Sequence, residues 1–196
     1  MAPVIGIALF DGAEELDWAG PWEVLSNWAT TWPGDGVSVF TLAQKDAPVT
    51  CAKGLRVLPD HTWESSPRMD VLVYPGGQGT RAQIHDGVVG DWVRNLALGG
   101  VLMTSVCTGS LVYAGAGLLA NRPATTHWAS LDLLASIDPS IEVVRTARFV
   151  DDDDIVTAAG VSAGIDMALH LVARLGSAER ARDVRRDIQY DPEPPV

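Results

Sequence analysis

The sequence predicts an α/β fold in which a mostly parallel sheet carries helices on both faces. The first observation is a set of short, continuous apolar runs, typical of strands buried on both faces, at residues 4–10, 70–74 and 101–106. The second is that segments with helical spacing separate these runs, at residues 15–29, 88–98 and 162–175. Buried strands that alternate with helices build a parallel sheet covered on both sides.

The first half of the chain supports each element by its own signal. Residues 15–29 are predicted to be helical, and Pro21 lies near their start, where a missing N–H is tolerated. A strand is predicted at 37–42, and residues 48–58 alternate around a Lys-Gly pair, which predicts a β-hairpin. The strand at 70–74 ends abruptly at a Pro-Gly-Gly sequence.

The second half predicts further strands at 143–150 and 155–158, with helices at 108–119, 127–136 and 177–189. The helix at 162–175 is apolar nearly all round, so we expect it to be buried or at an interface. The tail from residue 191 contains three prolines and cannot continue a helix. No linker or repeat interrupts the chain, and residues 1–196 are predicted to form one domain.

The charge and composition disfavour several classes of protein. The chain carries 25 acidic and 14 basic residues, a net charge of −11, which disfavours binding to nucleic acids and anionic membranes. The two cysteines and four histidines have no metal-ligand spacing. No segment resembles a signal peptide or is long enough to span a bilayer. We therefore expect a cytoplasmic protein that acts on a small molecule without a metal or cofactor.

Cys107 is the candidate nucleophile. The predicted strand ends and a helix begins within two residues of it, a junction that exposes a side chain above the sheet. The first N–H groups of a helix carry partial positive charge, so we expect a lowered pKa for the Cys107 thiol and a nucleophilic thiolate. The alternative is a small buried hydrophobe, as most free cysteines are. Cys51, in the hairpin and away from any helix end, fits that alternative.

Two loops at the same predicted sheet edge offer partners for Cys107, since ligand sites in such sheets lie beyond the carboxyl ends of the strands. Gly76 and Gly77 allow the backbone to approach a ligand and to donate N–H groups to developing charge, or else simply supply a positive φ. The acidic segment 14–17 offers a carboxyl group for proton transfer, or else caps a helix. His127 is either a base or, as with most lone histidines, a structural residue.

Together these segments resemble the ThiJ/PfpI superfamily, which is allied to the class I glutamine amidotransferases. The residues that carry the resemblance follow the family's order along the chain, at 12–17, at 74–77, around Cys107 and at 125–127. The resemblance implies a flavodoxin-like sandwich and a homodimer. It also implies an acidic residue from the first loop beside the sulfur, a place that Asp17 fits.

Within the superfamily, segments 105–111, 124–128 and 157–166 resemble the isonitrile hydratases. This implies that an isonitrile, R–N≡C, becomes an N-formamide, R–NH–CHO, through a covalent thioimidate. Cys107 would attack the terminal carbon, and Asp17 would protonate that carbon and later activate water. The resemblance gives Thr108 a catalytic role and places the substrate against Gly76, Gly77 and Gly160.

Other functions stay open. Another ThiJ/PfpI enzyme, glyoxalase-like or amidase-like, would use the same cysteine on α-oxoaldehydes or amides. A non-catalytic redox sensor would need an accessible thiolate that peroxide oxidises. Thr108 stands where the superfamily's proteases have a histidine, which counts against a peptidase. Related segments also occur in transcription regulators with a C-terminal DNA-binding domain, and we expect no such domain in a chain that ends at residue 196.

Overall fold

The computed structural model describes residues 2–193, so Met1 and residues 194–196 of the predicted domain and tail lie outside the described part. The strands are β1 (Val4–Leu9), β2 (Ser38–Ala43), β3 (Val49–Thr50), β4 (Arg56–Val57), β5 (His61–Thr62), β6 (Val71–Tyr74), β7 (Leu102–Val106), β8 (Pro123–Ala124), β9 (Glu142–Val143), β10 (Phe149–Asp152) and β11 (Ile155–Ala158). Seven of them form the central sheet in the order β10-β11-β7-β6-β1-β2-β5. Only its edge pair, β10 and β11, is antiparallel.

The helices are α1 (Glu15–Thr31), α2 (Thr80–Gln83), α3 (Gly87–Leu98), α4 (Gly109–Gly115), α5 (Leu131–Ile137), α6 (Ala163–Leu175) and α7 (Ala178–Asp187). They cover both faces of the sheet. Alternate side chains of β1 point to opposite faces, so Ile5, Ile7 and Leu9 lie in one apolar core and Ala8 lies in the other. Helices α1 and α6 pack on the first core, and α3 and α4 on the second. The predicted α/β fold, a doubly wound sandwich with a mostly parallel sheet, is confirmed.

Local signals in the sequence explain some of the element ends. The Asp86 side chain accepts the N–H groups of Val88 and Val89 and so starts α3. Strands β3 and β4 pair antiparallel, which confirms the predicted hairpin. Helix α6 packs against α1 and α7, with six of its residues fully buried. Within residues 2–193, none of the helices combines the length and apolar character that crossing a membrane requires.

Two predicted elements were wrong in extent. The strand predicted at 143–150 is interrupted, because the chain leaves the small β8–β9 sheet and turns at residues 144–148 before it reaches the main sheet. The helix predicted at 108–119 begins at Gly109 and ends at Gly115, and Gly117, with φ +77°, turns the chain away. Pro21 lies in the interior of α1 and not in its first turn. Strand β5 and helix α2 were missed, since two to four residues carry no periodicity.

Candidate functional site

Cys107 lies on a strained turn immediately after β7. Its φ of +56° belongs to the left-handed region that residues other than glycine seldom adopt. The surrounding backbone fixes this conformation: the Cys107 N–H donates to the carbonyls of Ala158 at 3.1 Å and Ala159 at 3.0 Å. The Cys107 carbonyl accepts from the hydroxyls of Thr126 at 2.8 Å and Ser110 at 3.2 Å. The thiol is thus held in one place at the carboxyl edge of the sheet.

The loops after β1 and β6 meet at this edge and bring a carboxyl group to the thiol. The Glu14 N–H donates to the Gly76 carbonyl at 2.9 Å, which joins the two loops. Asp17, in the first turn of α1, is fully buried, and its Oδ2 accepts the Gly76 N–H at 2.9 Å. Its Oδ1 has no hydrogen-bond partner of ordinary length within residues 2–193, and the carboxyl faces the Cys107 thiol. The other two acids of the segment, Glu14 and Glu15, pair with Lys53 of the hairpin.

The position of Asp17 decides between the two interpretations of its sequence segment. An acid that merely capped α1 would accept helix N–H groups at the solvent-exposed end, whereas Asp17 accepts a bond from another loop. Burial raises the pKa of Asp17 to about 7, and this outweighs the Gly76 N–H and the Cys107 thiol, which lower it. A pKa near neutral pH suits a group that both accepts and donates a proton.

The lowered pKa expected for Cys107 was wrong. Burial, with the charge of Asp17 as the second cause, raises the pKa of the thiol to about 12. The N–H groups of Thr108 and Val161 oppose this rise but do not reverse it. Helix α4 has only seven residues, which limits its field at the sulfur. Cys51 is also buried with a raised pKa, so what distinguishes Cys107 is the strained turn and the adjacent carboxyl group.

Gly76 and Gly77 position other groups and do not offer free donors. The Gly76 N–H is used by Asp17, and the Gly77 N–H donates to Thr108 Oγ1 at 2.9 Å. Both N–H groups are therefore used within the protein, and the substrate-binding role of Gly76 and Gly77 stays a prediction. A Cβ on Gly76 would lie 2.7 Å from Thr108 Oγ1 and 2.8 Å from Asp17 Oδ2, so no larger residue fits there. Gly77 has φ +119°, a conformation that L-residues rarely adopt.

The loop after β11 completes the surroundings of the sulfur. Gly160 packs against the His127 ring, and a Cβ there would lie 3.2 Å from Nε2. His127 caps a short 3₁₀ turn by accepting the Ala129 N–H at 3.2 Å, which supports its structural interpretation. Val161 has φ +45°, and its N–H points at the Cys107 sulfur. Val161 could not be predicted from the sequence, because a β-branched residue carries no signal for a positive φ.

Two cavities lie near the carboxyl edge of the sheet. One, of about 380 Å³, is lined by residues that contact Cys107, including Thr126, Ala159 and Val161. The other, of about 160 Å³, lies beneath Phe10, Tyr74 and Trp63 and is lined by none of the predicted site residues. We take the first as the approach to the thiol. Within residues 2–193, no group of three or more His, Cys, Asp or Glu is arranged to hold a metal ion.

Comparisons with known proteins agree with this geometry. The family model described as the DJ-1/PfpI family matches residues 4–174. The chain is 38% identical to the isonitrile hydratase of Pseudomonas putida over 196 residues, covering 100% of this chain and 82% of that protein. It is 32% identical to the transcriptional regulator CdhR of Pseudomonas aeruginosa over 143 residues, 73% of this chain and 42% of that protein.

The fold is also that of a solved relative. The crystal structure of a ThiJ/PfpI family protein from Pseudomonas syringae superposes with a TM-score of 0.88 and 33% sequence identity, covering 100% of this chain and 78% of that one. The family model spans the sheet, the loop of Asp17 and the turn of Cys107. The chain therefore belongs to the DJ-1/PfpI family.

Proposed function

We propose that this protein adds water to isonitriles and releases N-formamides, with Cys107 as the nucleophile and Asp17 as the group that moves protons. The observation that carries the proposal is the buried pair of Cys107 thiol and Asp17 carboxyl on a strained turn. The full-length similarity to a protein named isonitrile hydratase, at 38% identity, supports this choice of reaction.

The first half of the reaction adds the thiol across the terminal carbon of the isonitrile. Because the pKa of Cys107 is raised to about 12, the thiol starts protonated, and ionised Asp17 takes its proton as sulfur attacks. Asp17 then gives this proton to the same carbon. The S–H bond breaks, S–C and C–H bonds form, and the N≡C bond becomes the C=N bond of a thioimidate, Cys–S–CH=N–R.

The second half releases the product with water. A water molecule attacks the thioimidate carbon and loses a proton to Asp17, which passes it to the nitrogen as the C=N bond becomes single. The C–S bond then breaks, the remaining hydroxyl proton returns through Asp17 to sulfur, and R–NH–CHO leaves. The N–H groups of Thr108 and Val161, which lower the pKa of Cys107, stabilise the charge on the departing sulfur. This assigns Thr108 a catalytic role through its N–H.

A product assay tests the proposal. Purified protein is incubated with phenyl isocyanide, formanilide is followed by ¹H NMR, and heat-denatured protein is the control. We expect formanilide only with native protein, and a Cys107 peptide that gains the mass of one isonitrile when the reaction is quenched early. Native protein that forms neither product nor adduct would refute hydration.

The pH dependence of the reaction follows from Asp17. Its pKa of about 7 means that the carboxylate needed as a base is lost as the pH falls below 7. We expect kcat/KM to rise tenfold per pH unit below 7 and to level off above it, with no second limb before alkaline denaturation. A pH profile of kcat/KM between pH 5 and 9 measures this. A flat profile would remove Asp17 from the rate-determining step.

The alternatives are weaker on specific observations. A peroxide sensor needs a low thiol pKa, and burial raises that of Cys107. A glyoxalase-like reaction would use the same thiol and carboxyl groups, so methylglyoxal is the comparison substrate, and we expect no lactate from it. The homodimer and the cytoplasmic location stay predictions from the sequence.

A further inference from the structure

The cavity beside Cys107 has an unusual charge for this chain. Its charged lining residues are Arg145 and Arg148, its titratable ring is His127, and no carboxylate lines it within the described residues. The whole chain, by contrast, has 25 acidic and 14 basic residues. A cavity that concentrates arginine in an acidic protein attracts anions, since the summed local field steers charged ligands.

Residues that contact Cys107 form part of the cavity lining. The hydroxyl of Thr126, in its lining, donates to the Cys107 carbonyl at 2.8 Å. The N–H of Val161, also in its lining, points at the sulfur itself. Trp128, in the same lining, is 77% exposed and offers a largely uncovered apolar surface. A molecule that enters this cavity therefore meets both the indole and the two arginines.

The two arginines differ in how firmly they are held. Arg148 donates from Nε to Asp166 at 2.7 Å and from a terminal nitrogen to Ser162 Oγ at 3.2 Å, so it is part of the wall. Within residues 2–193, the Arg145 side chain makes one hydrogen bond, from a terminal nitrogen to Asp132 Oδ1 at 2.8 Å. The Asp132 side chain is 92% exposed, and such solvated pairs hold a side chain weakly. Arg145 is therefore the arginine that can turn to a ligand.

We propose, resting on the hydratase function above, that the natural substrates are isonitriles whose R group carries a carboxylate, and that Arg145 binds this carboxylate. The planar guanidinium matches a carboxylate through two parallel hydrogen bonds, and its charge persists at every physiological pH. The apolar part of the R group lies along Trp128, and the isonitrile carbon reaches Cys107. Arg145 is thus a residue that determines specificity and takes no part in the bond changes.

The first test measures the attraction of an anion to Cys107 without any turnover. Iodoacetate and iodoacetamide alkylate a thiol by the same displacement of iodide and differ mainly in charge. The ratio of their rates at Cys107, followed by mass spectrometry of its peptide, is compared in the native protein and in Arg145→Gln. We expect this ratio to fall about fivefold in Arg145→Gln, the size of one partly solvated charge pair, and to be retained in Arg145→Lys.

The matched control is Arg182→Gln, which removes the same charge from an exposed position on α7 outside the cavity. It is expected to leave the ratio unchanged, and thermal melts verify that every variant is folded. An unchanged ratio in Arg145→Gln, or an equal fall in Arg182→Gln, would overturn the role of Arg145.

The second test uses turnover and separates this proposal from the hydratase function. 4-Isocyanobenzoate and its neutral methyl ester are compared as substrates. We expect a KM several times lower for the acid, a difference that Arg145→Gln removes and that the control Arg182→Gln retains. Hydration of both compounds with equal KM would refute the carboxylate preference alone. Hydration of neither would refute the hydratase function, and the alkylation ratio would still decide whether the cavity selects anions.

Discussion

Replacement of Asp17 by asparagine is expected to lower kcat/KM for isonitrile hydration by about 10³-fold and, at the same time, to stabilise the fold at alkaline pH. The activity falls because the amide cannot take the thiol proton or return it to carbon, and general acid–base groups contribute about 10² to 10⁴ in rate. Asparagine keeps the shape of the site, since its carbonyl oxygen can still accept the Gly76 N–H.

The stability gain follows from the raised pKa of Asp17. The pKa of Asp17 is about 7 in the folded protein and about 3.8 in the unfolded chain. At acid pH the carboxyl group is protonated in both states, so its burial carries no cost of charge and the stability of the fold is fully retained. Its contribution is lost as the pH rises from about 4 through 7, and above 7 the buried charge costs up to about 4 kcal/mol. The amide introduced by Asp17→Asn would carry no such charge. Urea unfolding at pH 5 and pH 8 measures the free energy of unfolding of both proteins.

The comparison variant is Cys107→Ala, which removes activity but leaves the carboxyl group in place. It should lose stability between pH 5 and pH 8 as the native protein does, whereas Asp17→Asn should lose much less. If Asp17→Asn unfolds at a lower urea concentration than the native protein at pH 8, the charge of buried Asp17 does not destabilise the fold. If Asp17→Asn retains more than a tenth of native kcat/KM, Asp17 does not move the protons of the reaction.

The site illustrates which features a sequence can predict. The order of buried strands and the loops that follow them was enough to place Cys107, Asp17 and Gly76 at one edge of the sheet, because parallel strands end together. The direction of the Cys107 pKa was not predictable in the same way. A helix end beside the cysteine is visible in the sequence, but burial of the thiol against Asp17 depends on how α1 packs, and it has the larger effect.

Backbone conformation was the other feature that could not be predicted from the sequence. Val161 has a positive φ beside Gly160, which packs on His127, and nothing in a valine indicates this conformation. The strand predicted at 143–150 failed for a related reason. Its β-branched and aromatic residues favour a strand, but the chain has to leave one sheet and enter another within this segment. Contacts far apart in sequence overrode local preference in both places.

Gly76→Ala is the second change with a large expected effect, because it disturbs the site without removing any functional group. The new methyl group would overlap the backbone of Thr108 and lie 2.8 Å from Asp17 Oδ2, so the loop after β6 has to move. We expect a loss of about 1–3 kcal/mol in the free energy of unfolding, as for other overpacked positions. We also expect a fall of about 10²-fold in kcat/KM, since small displacements of catalytic groups are costly.

The matched control for Gly76→Ala is Gly87→Ala, at the start of α3. Gly87 is exposed, and a Cβ there would meet nothing within 4 Å, so the same methyl group should leave activity unchanged and raise stability by at most about 1 kcal/mol.

The pH profile of kcat/KM then separates two causes of lost activity in Gly76→Ala. Loss of the Gly76 N–H bond to Asp17 removes an interaction that lowers its pKa, so the acid limb of kcat/KM should move above pH 7. If Gly76→Ala has low activity but the acid limb of its kcat/KM profile stays at pH 7, the Gly76 N–H does not lower the pKa of Asp17.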